Sequence, residues 1–397
     1  FSPCGFLFDS KGSMGFSDNI FNIIGLINSH ISIVFLRYIS PTLDFKPGHI
    51  IQIPLVKEIV TKEDINSLVQ QNISISKQDW DTHETSWDFE RNPLYEQFLE
   101  CMEDDLQNVI PSETSLEELS KYAVAEAMHP LTTCMHNYKD KWEVNFMRLH
   151  MNEEELNRQF IDIYGLQDEL TPDVPLNEIT ILQQGEISIE NDRIKWHDDV
   201  VMKQFISYAV GCMMGRYSID KPGLILANQG DGVNEYNEKV PNSRFEVDDD
   251  GIIPLMTSDT EFADNATKRF KQWLAIAFGD THLVENLNFI EGALGKSLDD
   301  YFVKDFWKDH KKMYQNRPIY WLFASKKGAF QCIAYMHRMN AYTAERIRTK
   351  YLLPHIEWLM QKQSEMEENA ANLSTAERKK LDSIRKQIDE CREYHDR

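Results

Sequence analysis

A chain of 397 residues is long for one hydrophobic core and predicts two or three domains. Its net charge of −22 excludes a protein that coats nucleic acid with its whole surface, and its 42% hydrophobic content is that of an ordinary globular protein. Cys4, Cys101, Cys134, Cys212, Cys332 and Cys391 form no CxxC pair and no zinc-ligand spacing, so they read as reduced thiols and the expected compartment is the cytoplasm. FSPCGFLFDSKG has no charged leader before an apolar core; it reads as the interior of a domain and not as a signal peptide.

Ile20 to Leu36 is dense in apolar residues and predicts one buried helix, with Gly25 and Ser29 allowing close packing. Asn22, Asn28, His30 and Arg37 interrupt the apolar run and exclude a membrane span. Pro41, Pro47 and Gly48 punctuate the chain before a short strand expected over His49 to Val56. From Ile59 to Tyr164 the pattern is helical and charged, with Thr61 and Asp64 as a capping box. LEELSKYAVAEAMHPL carries an apolar face up to Pro130. Asn152 and Glu155 predict a helix start, Leu156, Phe160, Ile163 and Tyr164 its stripe, and Gly165 its end. EITIL and GEISIE then predict strands of a hairpin, and Val200 to Met214 an amphipathic helix facing inward through Phe205, Ala209, Cys212 and Met213. Gly211 and Gly215 predict close helix packing, since Lys203, Gln204 and Arg216 argue against a membrane dimer. NQGDGVNEYNEKVPNSR reads as a solvated loop. Phe262 to Gly279 predicts another amphipathic helix, IYWLFA (319–324) a buried strand entering a turn at Lys326 to Gly328, and Tyr351 to Arg397 a helical hairpin capped at Ser374 and Glu377.

Several motifs come close to known chemistry and miss it. Asn92-Pro93-Leu94-Tyr95 differs by one residue from the Asn-Pro-Pro-aromatic motif that grips the amino group of a flipped base. Leu94 removes the restraint of the second Pro, and a polar run precedes Asn92 where a buried strand should, so the segment predicts a turn with Pro93 opening a helix. GALGKS (292–297) lacks the first glycine of a P-loop, position 290 being Ile, and predicts a helix boundary. His129, Cys134 and His136 lack a second ligand pair. No HExxH and no Ser-His-Asp arrangement occurs, and the only GxG, Gly230-Asp231-Gly232, follows no strand that would make it a cofactor loop.

Charge is unevenly distributed. Asp79 to Glu118 holds thirteen Asp or Glu and one Arg, while Lys304 to Lys350 holds eleven Lys or Arg against Asp305, Asp309 and Glu345. The first region repels phosphate. The second predicts a phosphate-facing surface through Lys308, Lys311, Lys312, Arg317, Lys326, Lys327, Arg338, Arg346, Arg348 and Lys350, around Tyr320 and Trp321.

Residues 73–95, ISISKQDWDTHETSWDFERNPLY, resemble the PglX-type adenine-specific DNA methyltransferases of BREX phage-defence systems, with related wording in type IIG restriction-modification enzymes. NEEELNRQFIDIYGLQDELTPDV (152–174), FISYAVGCMMGRYSIDKPGLILANQG (205–230), IEGALGKSLDDYFVKDFWKDHKKMYQNRPIYWLFASKKGAF (290–330) and YMHRMNAYTAERIRTKYL (335–352) extend the resemblance across most of the chain. The helix, ProThrLeu and Ile-x-x-Ile-Pro sequence near the start is similar to the end of target-recognition domains.

The resemblance implies a mostly helical α+β, multidomain fragment from the C-terminal half of such an enzyme. Its parts would be the end of a target-recognition domain (1–58), an acidic helical spacer (59–165), a mixed α/β C-terminal domain with the basic segment (166–350) and a helical tail (351–397). Trp80, Trp87 and Phe89 are expected to pin the recognition part to the spacer. Lys11, Arg37, Lys46 and His49 join the basic segment as DNA-binding candidates. No catalytic, cofactor or metal residue is expected in this chain; S-adenosylmethionine would bind a catalytic domain upstream of Phe1. The implied partners are double-stranded DNA and other BREX proteins, with no membrane. Two other readings are a scaffold that docks proteins without touching DNA, and the specificity part of a type IIG enzyme.

Overall fold

In this computed structural model the chain is described at residues 14–41, 45–109, 129–368 and 373–396, without the side chains of 104–109. Lys11, Cys4 and the expected helix face of 116–128 lie outside these residues. Helices dominate, and the described strands form a two-stranded and a three-stranded antiparallel sheet, so the fold is the expected mostly helical α+β. The chain divides into two units, each assembled from two stretches: 1–81 with 139–197, and 82–138 with 198–397.

The first unit begins with the apolar run that its composition presents as one helix. The structure breaks it into Ile20–Ile27 and His30–Ile39, bent by 67°. The hydroxyls of Ser29 and Ser32 each donate to the Leu26 carbonyl at 2.6 Å, and the His30 amide donates to Asn157 Oδ1 at 3.0 Å. These side-chain bonds compete with the backbone bonds of a continuous helix. Among the described residues no single helix is long and apolar enough to cross a membrane; only this bent pair, taken together, has the length and composition. Gly25 permits close packing, since a Cβ there would lie 2.6 Å from Val69 Cγ2 on the helix Glu63–Asp81. Leu26, Ile31, Ile59, Ile65 and Val69 meet Leu156, Phe160 and Ile161 in a buried core.

Local expectations fail here in four places. His49–Val56 is not a strand: Pro47 opens the short helix Pro47–Ile50, and the amides of Ile51, Gln52 and Ile53 continue turn bonds to Pro47, His49 and Ile50. Pro47 has the φ of a helix start, and Pro54 offers a ladder no amide. Thr61 ends the helix Lys57–Thr61, its hydroxyl donating to the Glu58 carbonyl at 3.2 Å, and makes no capping box with Asp64. Asn152 starts no helix, because Leu131–Tyr164 runs through it; its Nδ2 donates to Asn72 Oδ1 at 2.8 Å instead. The hairpin lies later than EITIL, pairing β1 (Ile187–Glu190) with β2 (Arg193–Trp196) across Asn191 and Asp192, whose positive φ suits a two-residue turn. Gly165 does end the long helix, at φ 67°.

In the second unit, Pro93 opens the helix Pro93–Val109 as expected, and Asn92 Oδ1 accepts the Leu94 amide at 3.0 Å. Phe89 packs edge-on against Tyr217 at 5.1 Å, whereas Trp87 is 93% exposed, as is more than half of Trp80 in the first unit, so neither ring is buried as a pin would be. The helix Asp198–Met213 is not amphipathic, since every residue from Phe205 to Met213 is buried. It carries an aromatic core in which Trp273 lies 5.3 Å from Phe205 and Tyr217 lies 5.4 Å from Tyr208. Gly211 makes room for a ring and not for a second helix: an added Cβ would overlap Tyr217 Cδ2. The stretch after Gly230 is not all loop, because Val233–Lys239 is helical with Glu235 accepting the Gly232 amide at 2.7 Å. Ala266–Phe278 starts later than its apolar pattern because Asn265 caps it, accepting the Thr267 and Lys268 amides at 2.9 and 3.3 Å. The GALGKS boundary is as expected, with left-handed Gly295 ending Leu283–Leu294 and Ser297 capping Leu298–Lys304.

Strands β3 (Ile252–Pro254), β4 (Tyr320–Ala324) and β5 (Gln331–Tyr335) form a sheet of order β3-β5-β4, with β5 buried throughout. A helical hairpin follows, Leu353–Glu368 and Thr375–His395, and the expected reciprocal cap between Ser374 and Glu377 is present. Ile356, Leu359, Ile384, Ile388 and Cys391 share one buried cluster with Ile252, Cys332 and Ala334 of the sheet. Ile347–Leu352 is π-helical. Pro354 withholds the amide that the Lys350 carbonyl would otherwise receive, which favours the wider turn.

Candidate nucleic-acid interface

Helix Phe306–Met313 carries Lys308, Lys311 and Lys312 and ends in a turn with Gln315 and Asn316 at positive φ, after which Arg317 is exposed. Lys308 reaches Asp305 at 3.4 Å, and Lys311 Nζ lies 5.2 Å from the centre of the Trp307 ring. Lys312, Arg317, Lys326, Lys327 and Arg346 make no ion pair among the described residues. The sheet register sorts these cations. Tyr320 pairs with Tyr335 at the Arg317 end of β4, and Ala324 pairs with Gln331 at the Lys326 end. A strand of this length separates its ends by about 15 Å. The basic segment therefore makes two groups, Lys311, Lys312 and Arg317 at one end and Lys326 and Lys327 at the other, with half-exposed Trp321 on the strand between them.

Three of the candidate cations are engaged within the fold. Arg338 is 8% exposed and donates to the carbonyls of Met214, Asp248 and Asp249 at 3.3, 2.7 and 2.9 Å. Lys350 bonds Asp249 and Asp250, each at 2.8 Å; burial works against its charge, and these carboxylates hold its pKa above the ordinary value. Arg348 forms a two-pronged pair with Glu345 at 2.9 Å, chiefly through hydrogen bonding that raises its pKa. In the first unit Arg37 and Lys46 are exposed, as is Tyr38, the residue after Arg37, at 86%, while His49 is half-buried with Nδ1 3.3 Å from the Lys46 amide.

Sequence reasoning missed two polar clusters in the second unit. Glu84 Oε2 accepts the Tyr314 hydroxyl at 3.0 Å. Burial pushes the Glu84 pKa up to about 7, against the charge of Arg216 and hydrogen bonds from Tyr314 and Ser207. Arg216 in turn donates to the hydroxyls of Tyr217 and Tyr335 at 3.1 and 3.3 Å. His310 stacks on Tyr320 at 4.5 Å, and burial, then Arg216, drives its pKa down to about 3, so Nε2 accepts the Ile319 and Tyr320 amides at 3.2 and 3.3 Å. The second cluster is Asp248, Asp249 and Asp250, whose oxygens lie within 4.8 Å of one another, the one grouping of metal-ligand type among the described residues; His129, Cys134 and His136 make none. Its charge is met internally: Asp248 Oδ1 accepts the amides of Asp250, Gly251 and Ile252 at 3.1, 2.6 and 3.1 Å, and Lys350 takes the other two side chains. Burial, then the neighbouring Asp250 carboxylate, pushes the Asp248 carboxyl above the usual carboxylate range. The only signal in the sequence was an Asp run before a glycine. Asn92 and Tyr95 are also committed to the fold, Tyr95 being buried with its hydroxyl 3.3 Å from the Ile219 carbonyl.

Comparison with known proteins finds relatives along the whole of this chain. It is 35% identical over 416 residues to the adenine-specific methyltransferase PglX of Lacticaseibacillus casei (strain Zhang) and 33% identical over 427 residues to the adenine-specific methyltransferase BrxX of Escherichia coli O9:H4 (strain HS). All of this chain is matched in both, so it is a homologue of part of PglX and of BrxX, and it spans 31% and 32% of the length of those two relatives. No protein-family model matches the chain.

Gly230-Asp231-Gly232 is not built as a cofactor loop. The Gly230 amide donates to the His337 carbonyl at 2.8 Å, the Gly232 amide is held by Glu235, and the described strands are antiparallel, without the parallel strand that leads into a cofactor loop.

Proposed function

We propose that this chain is the target-recognition and spacer region, from the C-terminal half, of a site-specific adenine-N6 DNA methyltransferase of a BREX phage-defence system. Methyl transfer and S-adenosylmethionine binding then belong to the part of the family that this chain does not span. Homology along the whole chain carries this reading. The exposed Lys312, Arg317, Lys326 and Lys327 support phosphate contact within it, since exposed cations that make no ion pair among the described residues lose little on meeting DNA. Arg37 and Lys46 are further contacts of the same kind.

Duplex binding measured across a salt series tests the reading. Affinity should fall linearly with log salt, and reversing charge at Lys311, Lys312, Lys326 and Lys327 should weaken it and flatten the slope by about 0.9 for each phosphate no longer neutralised. No detectable binding at about 50 mM salt, where electrostatic binding is strong, would refute it. That outcome, with capture of other BREX components, is what a protein-docking scaffold would give; the exposed Trp87 ring favours that second reading. The chain alone should bind no S-adenosylmethionine by calorimetry, and stoichiometric binding would overturn the division of labour.

A further inference from the structure

The Lys326–Gly328 turn is held from beneath by a residue far along the chain. Glu390, on the last helix, accepts with one oxygen, Oε1, the Ser325 hydroxyl at 2.6 Å, the Lys327 amide at 2.6 Å and the Ala329 amide at 3.3 Å. Ser325 completes the loop, its hydroxyl accepting the Phe330 amide at 3.0 Å and its carbonyl receiving the Gly328 amide at 3.2 Å. Gly328 takes φ 79°, a conformation that a side chain would strain. The floor is apolar and fixed: Ala329 and Phe330 lie in the same buried cluster as Ile384, Ile388 and Cys391, on the helix that carries Glu390. Burial works against the Glu390 charge, yet the Ser325, Lys327 and Ala329 bonds and the Lys327 ammonium hold its carboxyl below the usual range. A carboxylate accepting three bonds fixes a short loop as a cap fixes a helix end. Both lysine side chains stay exposed while their backbone is clamped.

We infer that Glu390 is a positioning residue that orders Lys326 and Lys327 for contact with a nucleic-acid backbone. The inference rests on the DNA-contact reading above. Charge and positioning predict opposite signs here. A carboxylate beside a phosphate-binding turn should weaken binding by repulsion, so removing it should strengthen binding if charge alone mattered. If Glu390 positions the turn, removal should weaken binding, because a mobile loop loses entropy on docking that a clamped one has already lost.

The experiment is duplex affinity of the full chain over a salt series for wild type, Glu390→Ala, Glu390→Asp and Glu390→Gln. Glu390→Ala should bind more weakly, with a salt slope smaller by about 1 to 2, one per lysine released. Glu390→Asp keeps the charge and shortens the reach, and it should lose affinity too. Glu390→Gln keeps an acceptor oxygen without the charge and should bind as well as wild type or better. In the Glu390→Ala background, Lys326→Ala with Lys327→Ala should cost little more, since coupled residues are not additive. Wild-type or stronger binding by the Ala or Asp variant, in a wild type that does bind through these lysines, overturns the positioning role alone. A wild type that shows no salt-dependent binding removes the DNA reading and this role with it. Should the Ala variant fail to fold, the Asp and Gln variants still give opposite signs.

Discussion

Glu84→Gln should make stability less dependent on pH, and the sign follows from burial. The Glu84 pKa rises from an ordinary 4.5 to about 7 in the fold, with desolvation as the main cause and Arg216 opposing it. The folded state therefore holds a proton that the unfolded chain releases between those values, so this residue's contribution is greatest below about pH 4.5 and is lost as pH rises towards 7. A shift of this size corresponds to roughly 3 kcal/mol, an upper figure because hydrogen bonds rearrange on ionisation. Gln can accept the Tyr314 hydroxyl as protonated Glu does and cannot ionise. The variant should match wild type near pH 4 and exceed it by up to about 3 kcal/mol at pH 8. Denaturant unfolding of both proteins between these limits, followed by near-UV circular dichroism of the aromatic core, reads the difference. A gap that stays constant with pH, or a wild type favoured at pH 8, would refute the account.

Gly211→Ala should destabilise by about 1–2 kcal/mol in thermal unfolding, the overlap with the Tyr217 ring outweighing the gain in helix propensity. Gly292→Ala, where nothing lies within 4 Å of the added Cβ, should stabilise by about 0.5–1 kcal/mol, and the pair of opposite signs separates packing from propensity. Asn92→Ala leaves the buried Leu94 amide without its acceptor and should cost about 1–2 kcal/mol, measurable as a lower denaturant midpoint with unchanged slope.

What could be read in the sequence was what is decided within a few residues. The Ser374 and Glu377 cap, Pro93 at a helix start, Gly165 at a helix end and the turn at Lys326 to Gly328 depend on neighbours alone. The break after Ile27 could not be read, because the His30 amide finds its acceptor on Asn157, 127 positions away. His49 to Val56 has the composition of a strand, but Pro47 and Pro54 settle it locally as turns in the absence of a pairing partner among the described residues. At the candidate interface the cations were visible as charge. Their separation was not: the acceptors of Arg338 and Lys350 come from around 248–250, and Glu390 lies 63 positions beyond Lys327. Net charge along a segment records how many cations there are and says nothing of which ones the fold has already used.

The assembly of each unit from two stretches of chain governs how this protein can be made. Residues 1–81 bring Leu26, Ile31, Ile65 and Val69, but Leu156 and Phe160 complete that core only after the intervening 82–138 have been synthesised. Closing a loop of that size costs about 3–4 kcal/mol of chain entropy before its contacts form. During synthesis the early helices therefore carry an uncovered apolar face, the state most exposed to aggregation and to chaperone capture. A truncation after residue 81 would leave that exposure permanent, so a fragment ending there should be insoluble when expressed, whereas one reaching residue 197 contains everything the first core requires.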